Sequence, residues 1–398
     1  MLLVSRFNTS IDEYLSSWDK LNKITRSLKP ISVLKRYYHF YIIRKQLIKI
    51  SKSELSRPVA NSDYDLTKFK DDPEIDRLIR LWLQFDIGEM DDSLKGNYIE
   101  ATEAFISRVR LKWPQMDNES IFQALRNVWI MIAIQMMCDH KIELTDAMFA
   151  YSMLYPLTDN VLDDSTLSKQ EKFQFIEALG NRLNGITGNE TSPQYTDVYD
   201  MVSLIESQYS REQYPLVYES LCLIHACQKE SMKQQYSQLD ISQISKISFE
   251  KGASSVIADG YLVLGKLDTD QFDFLTGYGI VLQLADDLQD MTSDAFVSHR
   301  TLFSFGQTRE TLAENVEKLC LLSSNVLLNI PTQNIKLKSN LTLLLEKSMN
   351  FLITDAIQMH RNSFDKSYIR KISKNHFTGL THHSRLKKIG EEMVARWV

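Results

Sequence analysis

Glycine and proline are scarce in this chain of 398 residues, which contains 13 glycines and 8 prolines. All-β folds need both residues at their many turns, so the scarcity favours a fold built from a few long elements. Long stretches in which apolar residues recur at helical spacing among Gln, Lys and Glu indicate that these elements are helices. The sequence therefore predicts an all-α protein.

Signs of a secreted or membrane-spanning protein are also missing. The four cysteines form no CxxC pair, which is typical of a reduced protein. The apolar start of the chain is too short for a secretory signal. A run of about 18 uncharged apolar residues, which would indicate a membrane span, does not occur. We therefore expect a soluble, cytoplasmic protein.

The net charge of −5 conceals a basic head on an acidic body. Residues 20–53 contain ten Lys or Arg and no Asp or Glu; they carry +10, so the remaining chain must carry −15. Within them, residues 32–50 mix basic with aromatic side chains. One interpretation is an amphipathic helix that lies on an anionic membrane surface. The other is a helix that packs on the main domain with its lysines in water.

The chain divides into a basic N-terminal extension with a linker, residues 1–71, and a main domain, residues 72–398, that ends in a basic tail. Turn-forming residues at 54–71 suggest the linker. The main domain is predicted to be a succession of helices. The breaks are expected near residues 88, 114, 185–193, 215, 265–270, 306–308 and 330–333.

The first acidic segment is Asp159–Asp164. Asp159 and Asp163 are four residues apart, so they share one face of a helix, and Asp164 is adjacent. No Lys or Arg occurs between Lys141 and Lys169. Pro156 lies just upstream and is compatible with either the start of a helix or a bend within one.

The second acidic segment is Asp286–Asp294. Asp286, Asp290 and Asp294 recur at every fourth residue, with Asp287 adjacent and Gln283 one turn earlier. Here too, no Lys or Arg occurs over residues 267–299.

Like charges four residues apart destabilise a helix by a few tenths of a kcal/mol per pair, and a solvated face would normally interleave lysines. Both segments lack such lysines, so we expect the positive charge to come from outside the chain. Mg²⁺ suits the ligand type, because it binds carboxylate oxygens, water and substrate phosphates.

The two segments resemble the paired aspartate-rich motifs of the class I isoprenoid synthase superfamily, which includes terpene synthases, squalene and phytoene synthases and trans-prenyltransferases. Residues 159–164 resemble the squalene/phytoene synthase form D-x-x-x-D-D, and residues 283–290 are similar to the trans-prenyltransferase form Q-x-x-D-D-x-x-D. The resemblance covers residues 72 to about 350. It implies an all-α, isoprenoid-synthase-like helical bundle around a central cavity.

The resemblance also implies roles for individual residues. Aspartates of both segments would hold three Mg²⁺ ions together with the substrate diphosphate, and Lys251, Gln283 and Arg300 would contact that diphosphate. The metal-ligand candidates are Asp159, Asp163, Asp164, Asp286, Asp287, Asp290 and Asp294, of which Asp159, Asp163, Asp286 and Asp290 would be catalytic. Candidate cavity-wall residues, for which ordinary core packing is the alternative, are Tyr155, Val256, Tyr261 and Tyr278.

The activity implied is that of a magnesium-dependent terpene synthase, a lyase that ionises an allylic prenyl diphosphate and releases diphosphate. Condensation of two prenyl diphosphates stays an alternative, although the arginine pair expected after the first motif of elongating enzymes is replaced by Ser168 and Lys169. A non-catalytic helical partner protein is a third interpretation. We expect a prenyl diphosphate ligand and no nucleic acid, and a homodimer is one of the oligomeric states left open.

Overall fold

The computed structural model describes residues 2–21, 30–50, 73–83, 92–164, 166–186, 193–236 and 238–394. Within these ranges the regular elements are helices and no strand occurs, which confirms the predicted all-α class. The helices are α1 (Leu2–Lys20), α2 (Val33–Ile50), α3 (Pro73–Leu83), α4 (Asp92–Lys112), α5 (Asn118–Met137), α6 (Asp146–Asp163), α7 (Lys169–Leu183), α8 (Pro193–Gln208), α9 (Pro215–Ser231), α10 (Lys233–Tyr236), α11 (Ile241–Leu264), α12 (Thr269–Gln289), α13 (Met291–Phe296), α14 (Arg309–Leu327), α15 (Ile335–Met359), α16 (Lys366–Asn375) and α17 (Leu380–Val394).

The helix boundaries follow the turn-forming residues of the sequence. Pro215 occupies the first turn of α9, and Gly265, at φ 72°, ends α11 in the left-handed conformation that favours glycine. The predicted breaks are confirmed, except that the one near residue 88, most of the one at 185–193 and the linker at 54–71 lie outside the described residues. Pro156 lies inside α6, so the helix continues through it.

The two central helices begin with polar caps. The side chain of Asp240 accepts a hydrogen bond from the backbone amide of Gln243 at 2.9 Å at the start of α11. Asp268 accepts one from Gln271 at 2.8 Å at the start of α12. In each case the side-chain oxygen of the glutamine accepts a bond from the backbone amide of the aspartate, so donors that would otherwise lack helical partners are satisfied.

The pair α11 and α12 forms the middle of the core, and two glycines allow the close approach of these helices. A Cβ atom added at Gly252 would collide with the carbonyl oxygen of Gly279, and one at Gly279 would collide with that of Gly252. Buried side chains from α11 extend the core toward its other neighbours, α1, α5, α6 and α9. This close packing fixes where the side chains at the end of α12 lie relative to those of α11.

The two N-terminal helices have different surroundings. Helix α1 buries Phe7, Ile11 and Trp18 in the main core, and Trp18 packs edge-on against Phe249 of α11 with ring centroids 5.9 Å apart. Helix α2 instead buries side chains in a separate, smaller apolar cluster, to which α17 contributes Leu386. The division of the chain at residue 71 stays a prediction, but α1 is part of the main core.

Candidate functional site

The second acidic segment lies where α12 passes into α13. The backbone amide of Asp290 donates to the carbonyl of Asp286 at 2.9 Å, and that of Asp294 donates to the carbonyl of Asp290 at 2.8 Å. Helical spacing therefore continues across the junction, and the three carboxylates lie along one side as the sequence predicts. Asp286 and Asp290 are exposed, and Asp294 is half-buried.

The negative charges of this segment are poorly compensated. Desolvation by the surrounding protein, with the neighbouring charge of Asp290, raises the pKa of Asp286, and the charges of Lys251 and Arg126 oppose this shift. Burial, with the charges of Asp287 and Asp290, raises the pKa of Asp294 to about 7. A cation bound here would relieve the repulsion and favour the ionised carboxylates.

Asp287 differs from the other aspartates of the segment because the protein itself binds both of its oxygens. It is buried and accepts hydrogen bonds from Ser248 at 2.9 Å and from Gln283 at 2.7 Å. Burial raises its pKa to about 6 in spite of these donors and of the charge of Lys251. Gln283, predicted to contact diphosphate, instead donates to Asp287 one turn along the same helix and helps to hold its carboxylate in place.

The two predicted cations have different surroundings. Lys251 lies on α11, and its positive charge lowers the pKa of Asp286, Asp287 and Asp294 against the effect of burial. The guanidinium of Arg300 lies over the ring of Phe305, 4.9 Å from its centroid. The structure therefore brings Lys251 to the second acidic segment and places Arg300 against an aromatic ring in the loop after α13.

The first acidic segment coincides with the end of α6. Asp159 is half-buried and accepts a hydrogen bond from Gln123 of α5 at 2.6 Å. Asp163 is the last residue of the helix, and its side chain lies outside the described residues. Asp164 caps the helix and accepts bonds from the hydroxyl of Thr166 at 2.6 Å and its amide at 2.8 Å, which lower the pKa of Asp164.

Helix α5 connects the two segments. Gln123, which binds Asp159, and Arg126, whose charge acts on Asp286, are three residues apart on one face, about 5 Å along the axis. Helix α5 therefore carries one residue hydrogen-bonded to the first segment and one cation whose charge acts on the second. Sequence reasoning missed both α5 residues, because neither stands near an aspartate in the sequence and their spacing resembles that of any polar helix face.

An apolar cavity of about 290 Å³ opens beside Asp159, between α6, α7 and α9. Polar groups at its border include His225 and Lys229. Tyr155, a predicted wall residue, lines this cavity, whereas Val256, Tyr261 and Tyr278 are buried in the core. Apolar residues that line the cavity include Leu154, Leu162, Phe175, Leu179, Leu221 and Ile224.

A buried polar cluster adjoins this cavity. The hydroxyl of Tyr155 lies 3.3 Å from the hydroxyls of both Tyr151 and Ser255. One helical turn further along α11, Asp259 is fully buried and accepts a bond from Asn127 at 3.3 Å, while its second carboxylate oxygen has no hydrogen-bond partner among the described residues. Burial raises the pKa of Asp259 well above the usual aspartate range, and the bond from Asn127 opposes this shift.

The ligands available for a metal ion are carboxylates held by different helices. Among the described side chains, no group of three or more His, Cys, Asp or Glu could by itself hold a metal ion. Mg²⁺ does not require such a group, because it usually binds one or two carboxylates and completes its octahedron with water and substrate phosphates. The carboxylates of Asp286 and Asp290 are exposed and lie one helical turn apart, so they fit this type of ligand set.

Three further findings bear on what the protein is. Within the ranges that the structure describes, each helix is too short or too polar to cross a membrane. All four cysteines are free thiols. Comparison with known proteins yields no matching family model, no matching curated protein and no matching solved structure.

Proposed function

We propose that this protein is a magnesium-dependent enzyme that ionises an allylic prenyl diphosphate and releases diphosphate. The observation that carries the proposal is the position of the two acidic segments. Asp159 accepts a hydrogen bond from Gln123 of α5 and borders an apolar cavity, and the charge of Arg126, one turn along α5, acts on Asp286. A diphosphate with an apolar tail has these two requirements, a polyanion site with metal ligands and a pocket that excludes water.

The ionisation step breaks the bond between the allylic carbon and the diphosphate oxygen, and the electron pair leaves with the oxygen. Bound Mg²⁺ would supply Lewis-acid stabilisation of the negative charge that grows on this leaving group. Asp159 and Asp163 would hold metal on one side, and Asp286, Asp290 and Asp294 on the other. Lys251 would add a point charge, since its ammonium already acts on the second segment.

The remaining predicted residues have weaker support. Asp287 and Gln283 bind each other, so we assign them to holding the second segment in place. Asp164 is bound to Thr166 and would have to give up these bonds to reach a metal ion. Arg300 would have to leave the ring of Phe305 to reach a diphosphate.

The size of the cavity favours one prenyl chain over two. About 290 Å³ is at the lower limit for small-molecule sites, which usually measure about 300–1,000 Å³. A lyase that acts on a single substrate, a terpene synthase-like enzyme, therefore fits better than an enzyme that condenses two prenyl diphosphates. The free thiols agree with a reduced, cytoplasmic location for this enzyme.

The test is release of diphosphate from farnesyl, geranylgeranyl and longer prenyl diphosphates, with and without Mg²⁺, followed by mass spectrometry of the extracted products. Magnesium-dependent release that Asp290→Asn abolishes and Asp270→Asn leaves intact is the expected result. Asp270 is a suitable control because it is an exposed acid of the same helix, about 24 Å from Asp286 along the axis. A product joined from two substrates would favour condensation, and no release from any substrate would favour a non-catalytic partner protein.

A further inference from the structure

Helix α2 has one face that is anchored in the protein. Ile43, Leu47 and Ile50 are buried in the smaller apolar cluster with Leu386 of α17. The side-chain amide of Gln46 also donates to the carboxylate of Glu74 in α3 at 2.7 Å. The orientation of α2 relative to α3 and α17 is therefore fixed, and its remaining faces are presented in a defined direction.

The N-terminal half of α2 exposes a set of large apolar and aromatic side chains, here called the tyrosine stripe. Exposed fractions are 60% for Tyr37, 62% for Tyr38 and 54% for Tyr41. Spacings of three and four residues place these side chains on neighbouring positions of the helix surface. A cluster of this kind on one helix marks an interaction surface, whereas single exposed apolar residues are ordinary. The stripe consists of Val33, Leu34, Tyr37, Tyr38 and Tyr41.

The charge of the same helix identifies the occupant. Exposed basic side chains at Lys35, Arg44 and Lys45 accompany the stripe, and no Asp or Glu occurs anywhere in residues 33–50. Tyrosine prefers the level of lipid headgroups, where its ring is apolar and its hydroxyl is hydrated. Lysine and arginine beside it are attracted to anionic headgroups. A second copy of this chain would bring the same positive charge against itself.

We propose that α2 docks the protein on the surface of an anionic lipid bilayer, with the tyrosine stripe at headgroup depth and Lys35, Arg44 and Lys45 on the lipid phosphates. This proposal does not depend on the catalytic one, because it uses no residue of the acidic segments. The sequence leaves open a helix on a membrane surface and a helix that packs on the protein with its lysines in water. One face of α2 does pack on the protein, and the exposed tyrosines favour the membrane surface for the opposite face.

Cosedimentation of the full chain with vesicles tests the proposal. Vesicles of phosphatidylcholine with phosphatidylserine should bind the protein, and high salt or pure phosphatidylcholine should reduce the binding strongly. The triple variant Tyr37→Ser, Tyr38→Ser, Tyr41→Ser should bind the anionic vesicles at least about tenfold more weakly. A matched triple variant at exposed apolar sites elsewhere, Leu111→Ser, Leu328→Ser, Ile335→Ser, should bind as the unaltered protein does.

Three results would overturn the proposal. One is unchanged vesicle binding of the tyrosine variant, and another is equal binding to neutral and anionic vesicles. The third is a dimer in sedimentation velocity that the tyrosine variant converts to monomer, because the stripe would then be a self-interface. Far-UV circular dichroism checks that the variants fold. Diphosphate release measured without vesicles should be the same for both triple variants, so failure of the docking proposal is distinguishable from failure of the catalytic one.

Discussion

The first and second acidic segments both contain aspartates four residues apart, but their surroundings in the fold differ. The second lies at the end of a helix that packs glycine to glycine against α11, and Asp287 anchors it by two hydrogen bonds. The first segment lies at the C-terminal end of α6. Past that end, the carboxylate of Asp164 accepts hydrogen bonds from Thr166.

The difference shows the limit of predictions from aspartates four residues apart. Such residues share one face of a helix only as far as the helix continues. In the second segment, helical hydrogen bonds continue across the junction of α12 and α13, from Asp286 through Asp290 to Asp294. After Asp163 the helix has ended, and a local turn decides where the next carboxylate points. The second segment is therefore the better-organised half of the candidate site.

The largest expected effect is on turnover. Asp290→Asn and Asp159→Asn should each lower magnesium-dependent diphosphate release at least about a hundredfold, because each removes a metal ligand that stabilises the transition state. Asp164→Asn should lower it less than about tenfold, since this carboxylate is bound to Thr166. Steady-state kinetics at saturating Mg²⁺ gives the comparison. Equal losses at residues 159 and 164 would mean that the helix end rearranges on binding.

The next effect concerns the packing that holds the second segment. Gly252→Ala and Gly279→Ala should each lower the free energy of unfolding by about 1–3 kcal/mol, because the new methyl group meets backbone of the facing helix. Urea unfolding measures this. Gly180→Ala is the matched control: its nearest obstacle is the flexible ring of His225, 2.9 Å away, so it should cost much less. Equal costs for all three glycines would contradict the special role of the α11–α12 contact.

Two glutamine variants compare how firmly the protein holds each acidic segment. Gln283→Leu removes one of two donors to the buried Asp287 and should destabilise the protein by about 1–3 kcal/mol. Gln123→Leu removes the donor to Asp159, which is only half-buried, so water can replace the bond and the cost should be under about 1 kcal/mol. Thermal unfolding of the two variants side by side decides the order. The reverse order would show that the first segment is the more firmly held.

The smallest expected effect is a change in the pH dependence of stability. The folded protein holds the proton of Asp259 more tightly than the unfolded chain does, so its contribution to stability declines as the pH rises above the ordinary aspartate range. The side chain of Asp259→Asn cannot ionise, so the stability of this variant should decline less than that of the unaltered protein between about pH 5 and about pH 9. Urea unfolding at several pH values measures this, and parallel profiles for the two proteins would show that Asp259 does not titrate differently on folding.

Much of the fold follows from the sequence because local signals determine it. Proline and glycine positions predict the helix breaks, and apolar spacing predicts the helices themselves. Residues that depend on long-range packing could not be predicted. The link from Gln123 and Arg126 to the two segments joins residues that are far apart in sequence. The burial of Asp259 likewise depends on which face of α11 meets α5 and α6.

The sequence predicts the relative positions of the second segment's aspartates better than the position of the predicted cation Arg300. Helical spacing correctly places Asp286, Asp290 and Asp294 on one side, and Lys251 lies near them. Arg300 follows a short helix, so its direction depends on the loop and on the ring of Phe305. Residue spacing does not predict where a side chain points in such a loop.

Calorimetric titration of the full chain with inorganic diphosphate tests whether the acidic segments bind a magnesium–diphosphate complex, without a prenyl substrate. We expect binding that requires Mg²⁺, that Asp290→Asn weakens at least about tenfold, and that the control Asp270→Asn leaves unchanged. Binding of equal strength without Mg²⁺, or in the Asp290→Asn variant, would contradict this expectation.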